Sequence, residues 1–336
     1  MATMERPKVD DRVKTEDVTG TEGLTFRDFE LDDAVQFVSE PSQSKLIWQT
    51  RSPLRRSSNL SKHSMSFRLS QGIFEMGFEL PSPIQEQAIP KILKGENIIA
   101  KAKNGTGKTA AYAIPLVEQI DVELNKIQAM VLVPVRELAM QTSLVIKEIG
   151  KHKKVQCMVS TGGTRVNEDV IRMGQNVHVV VATPGRILDL ASRGYAKLDQ
   201  CKFCVLDEVD KLISGEFQEV VQQILEMMPD DRQIALFSAT YPVEIRSFQQ
   251  RNVPKPQYIK ITEELTLKGL TQYYAFLEER EKLHCLNTLF TKLDISQAII
   301  FCNSAKRVEL LARKISQLGY SCFFIHSKMD QRDRNR

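Results

Sequence analysis

Two short stretches hold residue types whose spacing could do chemistry. The first is "AKNGTGKT", residues 102–109. A glycine-rich turn of this kind frees successive backbone N–H groups to cradle phosphate. Lys108 would reach the outer phosphates of a nucleotide, and the Thr109 hydroxyl would hold a divalent cation. The usual pattern opens on glycine, and here that position is Ala102. The second stretch is "VLDEVD", residues 205–210, where Asp207, Glu208 and Asp210 crowd directly behind an apolar run. Alone, such a cluster suits a solvated, helix-capping loop as well as a metal-and-water site. A phosphate loop elsewhere in the chain favours the second reading, because nucleotide-cleaving enzymes present an acid from another strand end to the cation. Asp207 fits that place, and Glu208 could polarise an attacking water as general base.

Both stretches need strands that end at the right place. Continuous apolar runs recur at "NIIAKA" (97–102), "QAMVLV" (128–133), "VQCMVS" (155–160), "VHVVVA" (177–182), "FCVLD" (203–207) and "QIALFS" (233–238). Helical stretches of roughly ten residues lie between them, which predicts a parallel sheet covered on both faces. The phosphate loop follows the first run and precedes "TAAYAIPLVEQI", giving it the strand–loop–helix setting it requires. Residues 251–270 contain Pro254 and Pro256, break the rhythm and read as a linker. A second series then begins with "TQYYAF", "SQAIIFCNS" and "YSCFFIHS", and stops at Arg336 after three expected strands, so the second domain is expected to be partial or the chain a fragment.

Composition is compatible with this frame. The 336 residues are enough for about two domains, and the 42% apolar and 26% charged shares are those of an ordinary soluble protein. No apolar run reaches the ~18–20 residues that span a bilayer, and the start lacks the apolar core of a secretory signal. Cys201 and Cys204 form a lone CxxC with Cys204 inside a strand, which favours reduced core thiols over a zinc site and a cytosolic or nuclear setting. The net charge of +4 hides an asymmetry: residues 1–40 hold eleven acids against five Lys/Arg, whereas residues 41–74 hold six Lys/Arg and no acid. Residues 41–70 include nine serines and the single Trp48, show no helical or strand period, and read as an insert within a mostly disordered extension over 1–70. A mildly basic body permits nucleic-acid binding.

Eight blocks in one order give the chain a family resemblance: "GFELPSPIQ" (77–85), "AKNGTGKT", "PVRELA" (134–139), "TGG" (161–163), "TPGR" (183–186), "DEVD", "SAT" (238–240) and "IIFCNS" (299–304). Over residues 72–336 it resembles the DEAD-box RNA-dependent ATPases, most of all the branch of cytoplasmic translational repressors and decapping activators found in P-bodies. The resemblance implies a RecA-like P-loop domain over 71–250 and a partial second one over 271–336. It implies ATP and Mg²⁺ as ligands, with Phe78, Pro83 and Gln85 on the adenine side. Ala102, Lys103, Asn104, Gly105, Thr106, Gly107, Lys108 and Thr109 would form the phosphate loop, with Thr109 and Asp207 toward the metal. Gln85 suits adenine because an amide pairs with its N6/N7 edge; its alternative role is helix capping. Ser238 and Thr240 would bond the acid block at Asp210 and couple nucleotide state to RNA.

Pro134, Arg136, Gly162, Gly163, Thr164, Thr183, Pro184, Gly185, Arg186, Asn303, Gln331 and Arg334 would form the RNA side. No block there supplies base-edge readers, so contact should run through the phosphate backbone and tolerate many sequences. Implied partners are therefore single-stranded RNA and proteins of mRNA decay and translational repression. ATP would close two domains over one strand and separate a short duplex. The alternative is an RNA-binding repressor or scaffold with little turnover.

The sequence also departs from the family pattern. An aromatic expected to stack on adenine falls at Leu60 by spacing, leaving Phe26 in "TFRDFEL" as the candidate if residues 41–70 loop out. Val135 stands where threonine is usual, and Val209 where alanine is usual, near the phosphate loop by expectation. The block that carries an arginine finger is absent, which predicts ATP binding with weak hydrolysis for this chain alone.

Overall fold

The structure is a computed structural model and describes residues 66–215, 217–261, 271–293 and 295–334. Phe26, Trp48 and Leu60 lie outside the described residues. The described chain divides into a larger unit ending at Leu270 and a smaller one over Thr271–Arg336.

The larger unit is built on seven strands: β1 Ile98–Lys101, β2 Ala129–Leu132, β3 Cys157–Ser160, β4 Val179–Ala182, β5 Phe203–Asp207, β6 Gln233–Ser238 and β7 Gln257–Lys260. All pairings are parallel, in the order β3-β4-β2-β5-β6-β1-β7. Central strands such as β2 and β4 are buried at every residue, as apolar runs covered on both faces must be. Alternation along each strand sorts the side chains into two layers. Phe203 and Val205 join one cluster with α1 (Phe67–Glu75), α2 (Pro83–Leu93), α3 (Lys108–Gln119) and α4 (Arg136–Gly150). Cys204 and Leu206 join the other, with α5 (Val166–Met173), α6 (Pro184–Ser192), α7 (Val209–Leu212), α8 (Phe217–Glu226) and α9 (Val243–Asn252).

The six runs expected as strands are β1 to β6. The seventh strand was read as linker. Its residues "QYIK" bury only Ile259, so the sequence shows no apolar run, yet β7 adds to the outer edge of β1. Cys201 and Cys204 are buried, free thiols, and burial pushes the Cys204 thiol up to about 12, consistent with core cysteines. Val209 was expected beside the phosphate loop. It is fully buried in the second layer with Leu212, Ile245 and Phe248, whereas Ala102 of the loop belongs to the first. Its extra methyls are therefore absorbed by an apolar core and do not crowd the loop.

Helix α1 meets α4 at Gly72. A Cβ there would lie 2.2 Å from the Ile149 carbonyl oxygen, closer than any side chain tolerates. Gly72→Ala is expected to lever α1 off α4 and cost about 1–3 kcal/mol, as overpacking does. Thermal unfolding reads this directly, and an unchanged Tm would show that α1 is not seated as described.

The smaller unit contains α10 (Lys282–Lys292), α11 (Ala305–Gln317) and α12 (Gln331–Arg334). Among its described residues the three expected strand runs form no ladder. A strand is held by a neighbour's backbone and by cover on its faces. Here Tyr273, Phe276, Phe301 and Phe323 are at least 90% exposed, and only Ala312 and Ile315 are buried. Phe290 and Tyr320 make a ring contact at 5.1 Å.

Candidate nucleotide and RNA site

Open parallel sheets bind ligands outside the carboxyl ends of their strands. In this sheet three neighbouring ends, β5, β6 and β1, are in register: Asp207 lies opposite Phe237 and Lys101 opposite Ser238. Consequently the loop after β1, the acids after β5 and the "SAT" turn after β6 share one stretch of edge.

The phosphate loop runs from Ala102 into the N-terminus of α3. Gly105 and Gly107 adopt φ of +79° and +92°, a left-handed conformation that glycine enters without a Cβ penalty. Thr106 donates to the Lys103 carbonyl at 2.8 Å and tightens the turn. Lys108 is buried, and its ammonium donates to the Ala102 carbonyl at 3.1 Å and to Asn104 Oδ1 at 2.9 Å. Burial pushes its pKa down, and Asp207 opposes the shift. The ammonium thus sits among loop oxygens that hold it as phosphate oxygens would.

Asp207 ends β5 on the face of Phe203 and Val205, toward α3. It is buried; desolvation raises its pKa, while a hydrogen bond from Tyr112 and the charge of Lys108 lower it. Its Oδ1 accepts the Glu208 N–H at 2.9 Å and its Oδ2 accepts the Tyr112 hydroxyl at 2.9 Å. Glu208 turns the chain with φ 51° and ψ 49°, a left-handed conformation that is costly for a side-chain-bearing residue and recurs at functional sites. Its carboxylate pairs with Lys211. Asp210 is held from across the gap: Ser238 Oγ donates to it at 2.7 Å and Thr240 Oγ1 at 2.6 Å.

Gln85 takes the helix-capping role and adds a tie to the phosphate loop. Its Oε1 accepts the Ser82 N–H at 2.9 Å, closing the capping box of α2, and its Nε2 donates to the Gly107 carbonyl at 3.1 Å. One buried amide therefore ties α2 to the phosphate loop. Phe78 and Pro83 lie nearby in sequence, half-buried.

The ends of β2, β3 and β4 occupy the other half of the edge. Arg136 Nε donates to Thr161 Oγ1 at 3.1 Å, and Gly163, with φ +79°, lies so close that a Cβ would meet Arg136 Nη1 at 3.0 Å. The Gly162 N–H donates to Thr183 Oγ1 at 3.3 Å. Arg186 donates to the Thr164 hydroxyl at 3.0 Å and carbonyl at 2.6 Å, and pairs with the buried Asp169. Arg136 and Arg186 are both buried and hydrogen-bond to residues of these loops. Gly162, Gly163, Thr164 and Gly185 face solvent, Pro134 and Thr183 are half-buried, and Pro184 is buried. In the smaller unit Asn303 is exposed, while Gln331 and Arg334 sit half-buried on α12.

Sequence reading passed over Tyr112 and Asp169. Tyr112 stands four residues after Lys108, and its hydroxyl within the apolar run "AAYAIPLV" was the available signal. Asp169 pairs locally with Arg172, but its buried partner Arg186 is 17 residues away, beyond any local pattern.

Residues 82–248 match the DEAD/DEAH box helicase family, and residues 281–336 match the helicase conserved C-terminal domain. The ATP-dependent RNA helicase DHH1 of Yarrowia lipolytica is 52% identical over 330 residues, covering 98% of this chain and 57% of the relative. The structure of S. cerevisiae Dbp5 bound to RNA and ADP BeF3 is 30% identical, with a TM-score of 0.72 over 81% of this chain and 70% of that one. This chain belongs to the DEAD-box helicases. Rice DEAD-box ATP-dependent RNA helicase 6 is 51% identical over 335 residues, 60% of its length, so the chain spans somewhat over half of these curated relatives. A DEAD box protein from Methanococcus jannaschii shares the fold at a TM-score of 0.57 and 33% identity. In this DEAD-box chain the acid block reads Asp-Glu-Val-Asp, with Val209 in the core.

Proposed function

We propose that this chain is the ATP-binding part of an RNA helicase, in which nucleotide state is coupled to RNA held along the same sheet edge. The observation that carries the reading is the register of β1, β5 and β6. It sets Lys108, Asp207, Glu208 and the Asp210–Ser238–Thr240 cluster side by side, with the exposed glycine loops of β2, β3 and β4 beyond them.

In this reading Gln85 receives adenine and passes its position to the loop through Gly107. Backbone N–H groups of Gly105, Thr106 and Gly107 receive the phosphates, and Lys108 exchanges its loop oxygens for phosphate oxygens. The donors suit Mg²⁺: Thr109 offers a hydroxyl and Asp207 a carboxylate, both hard oxygens. Among the described residues no cluster of three or more His, Cys, Asp or Glu side chains could hold a metal. Mg²⁺ commonly binds through one or two carboxylates plus phosphate and water, and when bound it would neutralise charge developing on the phosphates. Glu208 takes the proton of the attacking water. Asp210 transmits the change to the turn after β6 through two hydroxyls. RNA is met by loop N–H groups and glycines that let its backbone approach, with Arg136 and Arg186 holding those loops from beneath. Contact of this kind is sequence-tolerant. The fitting setting is cytoplasmic mRNA decay and translational repression, in P-bodies, alongside protein partners of that pathway.

The test is ATP turnover with and without single-stranded RNA, on this chain and on a version extended to the length of its relatives. RNA-stimulated turnover in the longer chain is expected. Tight RNA binding with no turnover in either would replace the helicase reading with an RNA-binding scaffold.

A further inference from the structure

We infer that Tyr112 is a positioning residue for the metal-binding carboxylate: its hydroxyl clamps Asp207 in the orientation that a divalent cation needs. The inference rests on the nucleotide-site reading above and adds to it a residue outside the blocks that carry the family resemblance.

Tyr112 lies on α3, one turn beyond Lys108 and three residues beyond Thr109. The side chain is fully buried and its ring packs against Phe237 with centroids 5.2 Å apart. A tyrosine buried this deeply needs a partner for its hydroxyl. That partner is Asp207 Oδ2 at 2.9 Å, with Thr142 Oγ1 at 3.4 Å alongside. The hydroxyl therefore bonds directly to the carboxylate assigned to the cation.

The consequence is geometric. The Glu208 N–H fixes Oδ1 of Asp207 and the Tyr112 hydroxyl fixes Oδ2. With one hydrogen bond on each oxygen, the carboxylate cannot rotate about its Cβ–Cγ bond without losing both. Each oxygen keeps a lone pair for the cation or for a water in its shell. Outer-shell partners of metal ligands act in this way, and removing one typically weakens metal affinity by ~10–100-fold. A phenylalanine would fill the same apolar space and leave Oδ2 buried without its donor.

The experiment measures affinity for a fluorescent ADP analogue as a function of Mg²⁺ concentration, and again in EDTA, for the parent chain, Tyr112→Phe, and Tyr112→4-aminophenylalanine, which keeps an N–H donor at the ring tip. The parent should bind nucleotide more tightly as Mg²⁺ rises. Tyr112→Phe should keep the EDTA affinity and require roughly 10–100-fold more Mg²⁺ for half of the tightening, and the amino variant should recover most of that loss. Mn²⁺ binding followed by electron paramagnetic resonance in the nucleotide complex gives a readout independent of turnover. If Tyr112→Phe lowers the EDTA affinity and leaves the Mg²⁺ midpoint alone, the role is structural and the inference fails. If the phenylalanine variant does not fold, the amino variant decides: a parent-like Mg²⁺ midpoint supports the clamp and a weakened one overturns it. A parent chain whose nucleotide affinity ignores Mg²⁺ overturns the metal-site reading itself, a different result from failure of Tyr112.

Discussion

Lys108→Ala is expected to weaken ATP binding by on the order of 10²-fold or more. The ammonium is buried and bonded to the Ala102 carbonyl and Asn104 Oδ1. Those bonds hold it in the concavity of the loop that the phosphates would enter. Each hydrogen bond that it makes to a charged phosphate is worth about 1.5–3 kcal/mol net, and 1.4 kcal/mol is a tenfold change in affinity. A second effect has the same sign. Asp207, Glu208 and Asp210 all act on Lys108 electrostatically, so its removal leaves three acids facing an incoming polyanion without their nearest buried cation. Arginine should rescue little, because its planar fork replaces a compact point charge in a closed loop. Titration with a fluorescent ATP analogue measures the loss, and a Kd within threefold of the parent value would remove Lys108 from the phosphate site.

Much of this site was legible because buried parallel strands write themselves as continuous apolar runs. Six such runs, and the chemistry placed directly behind three of them, lead to the same edge that the structure assembles. Other features have no such trace. Strand β7 buries only Ile259 of its four residues, so edge pairing had to reveal it. The expected strands at 271–276, 296–304 and 320–327 are apolar enough, yet an apolar run becomes a strand only where a neighbour pairs with it. The family blocks and their place at strand ends put Arg136 and Arg186 on the RNA side. Their burial beside Thr161, Thr164 and Asp169 depends on segments 17–25 residues away. Val209 shows how one wrong neighbour misplaces a side chain. It stands beside Glu208 in sequence, yet it packs in the opposite layer from α3, where extra methyl groups add to a core.

Glu208→Gln is expected to lower ATP turnover by ~10²–10⁴-fold, the usual contribution of a general base, with little change in nucleotide affinity. Its backbone is the reason to single out this acid. The left-handed turn at φ 51° is stored strain of about 1–3 kcal/mol, and the Glu208 N–H bonded to Asp207 helps to hold it. The two carboxylates are thereby fixed relative to each other, one buried for the cation and one partly open to water. Asp210 is already committed to Ser238 and Thr240, which leaves Glu208 as the acid of the block free to accept a proton. Its pairing with Lys211 does not prevent this, because Lys211 is 61% exposed and an exposed ion pair contributes only ~0–1 kcal/mol. Glutamine keeps the size and the backbone but accepts no proton at neutral pH. The outcome to look for is therefore a split, with bound ATP nearly normal and a cleavage step that stalls. Single-turnover hydrolysis alongside equilibrium nucleotide binding, both with RNA present, measures the two halves separately. Lys211→Ala is the control, expected to change the cleavage rate by less than about tenfold because the pair it breaks is weak. Equal turnover in Glu208→Gln and parent would move the base to another residue, while a matching loss of affinity would mean that the glutamate shapes the nucleotide pocket.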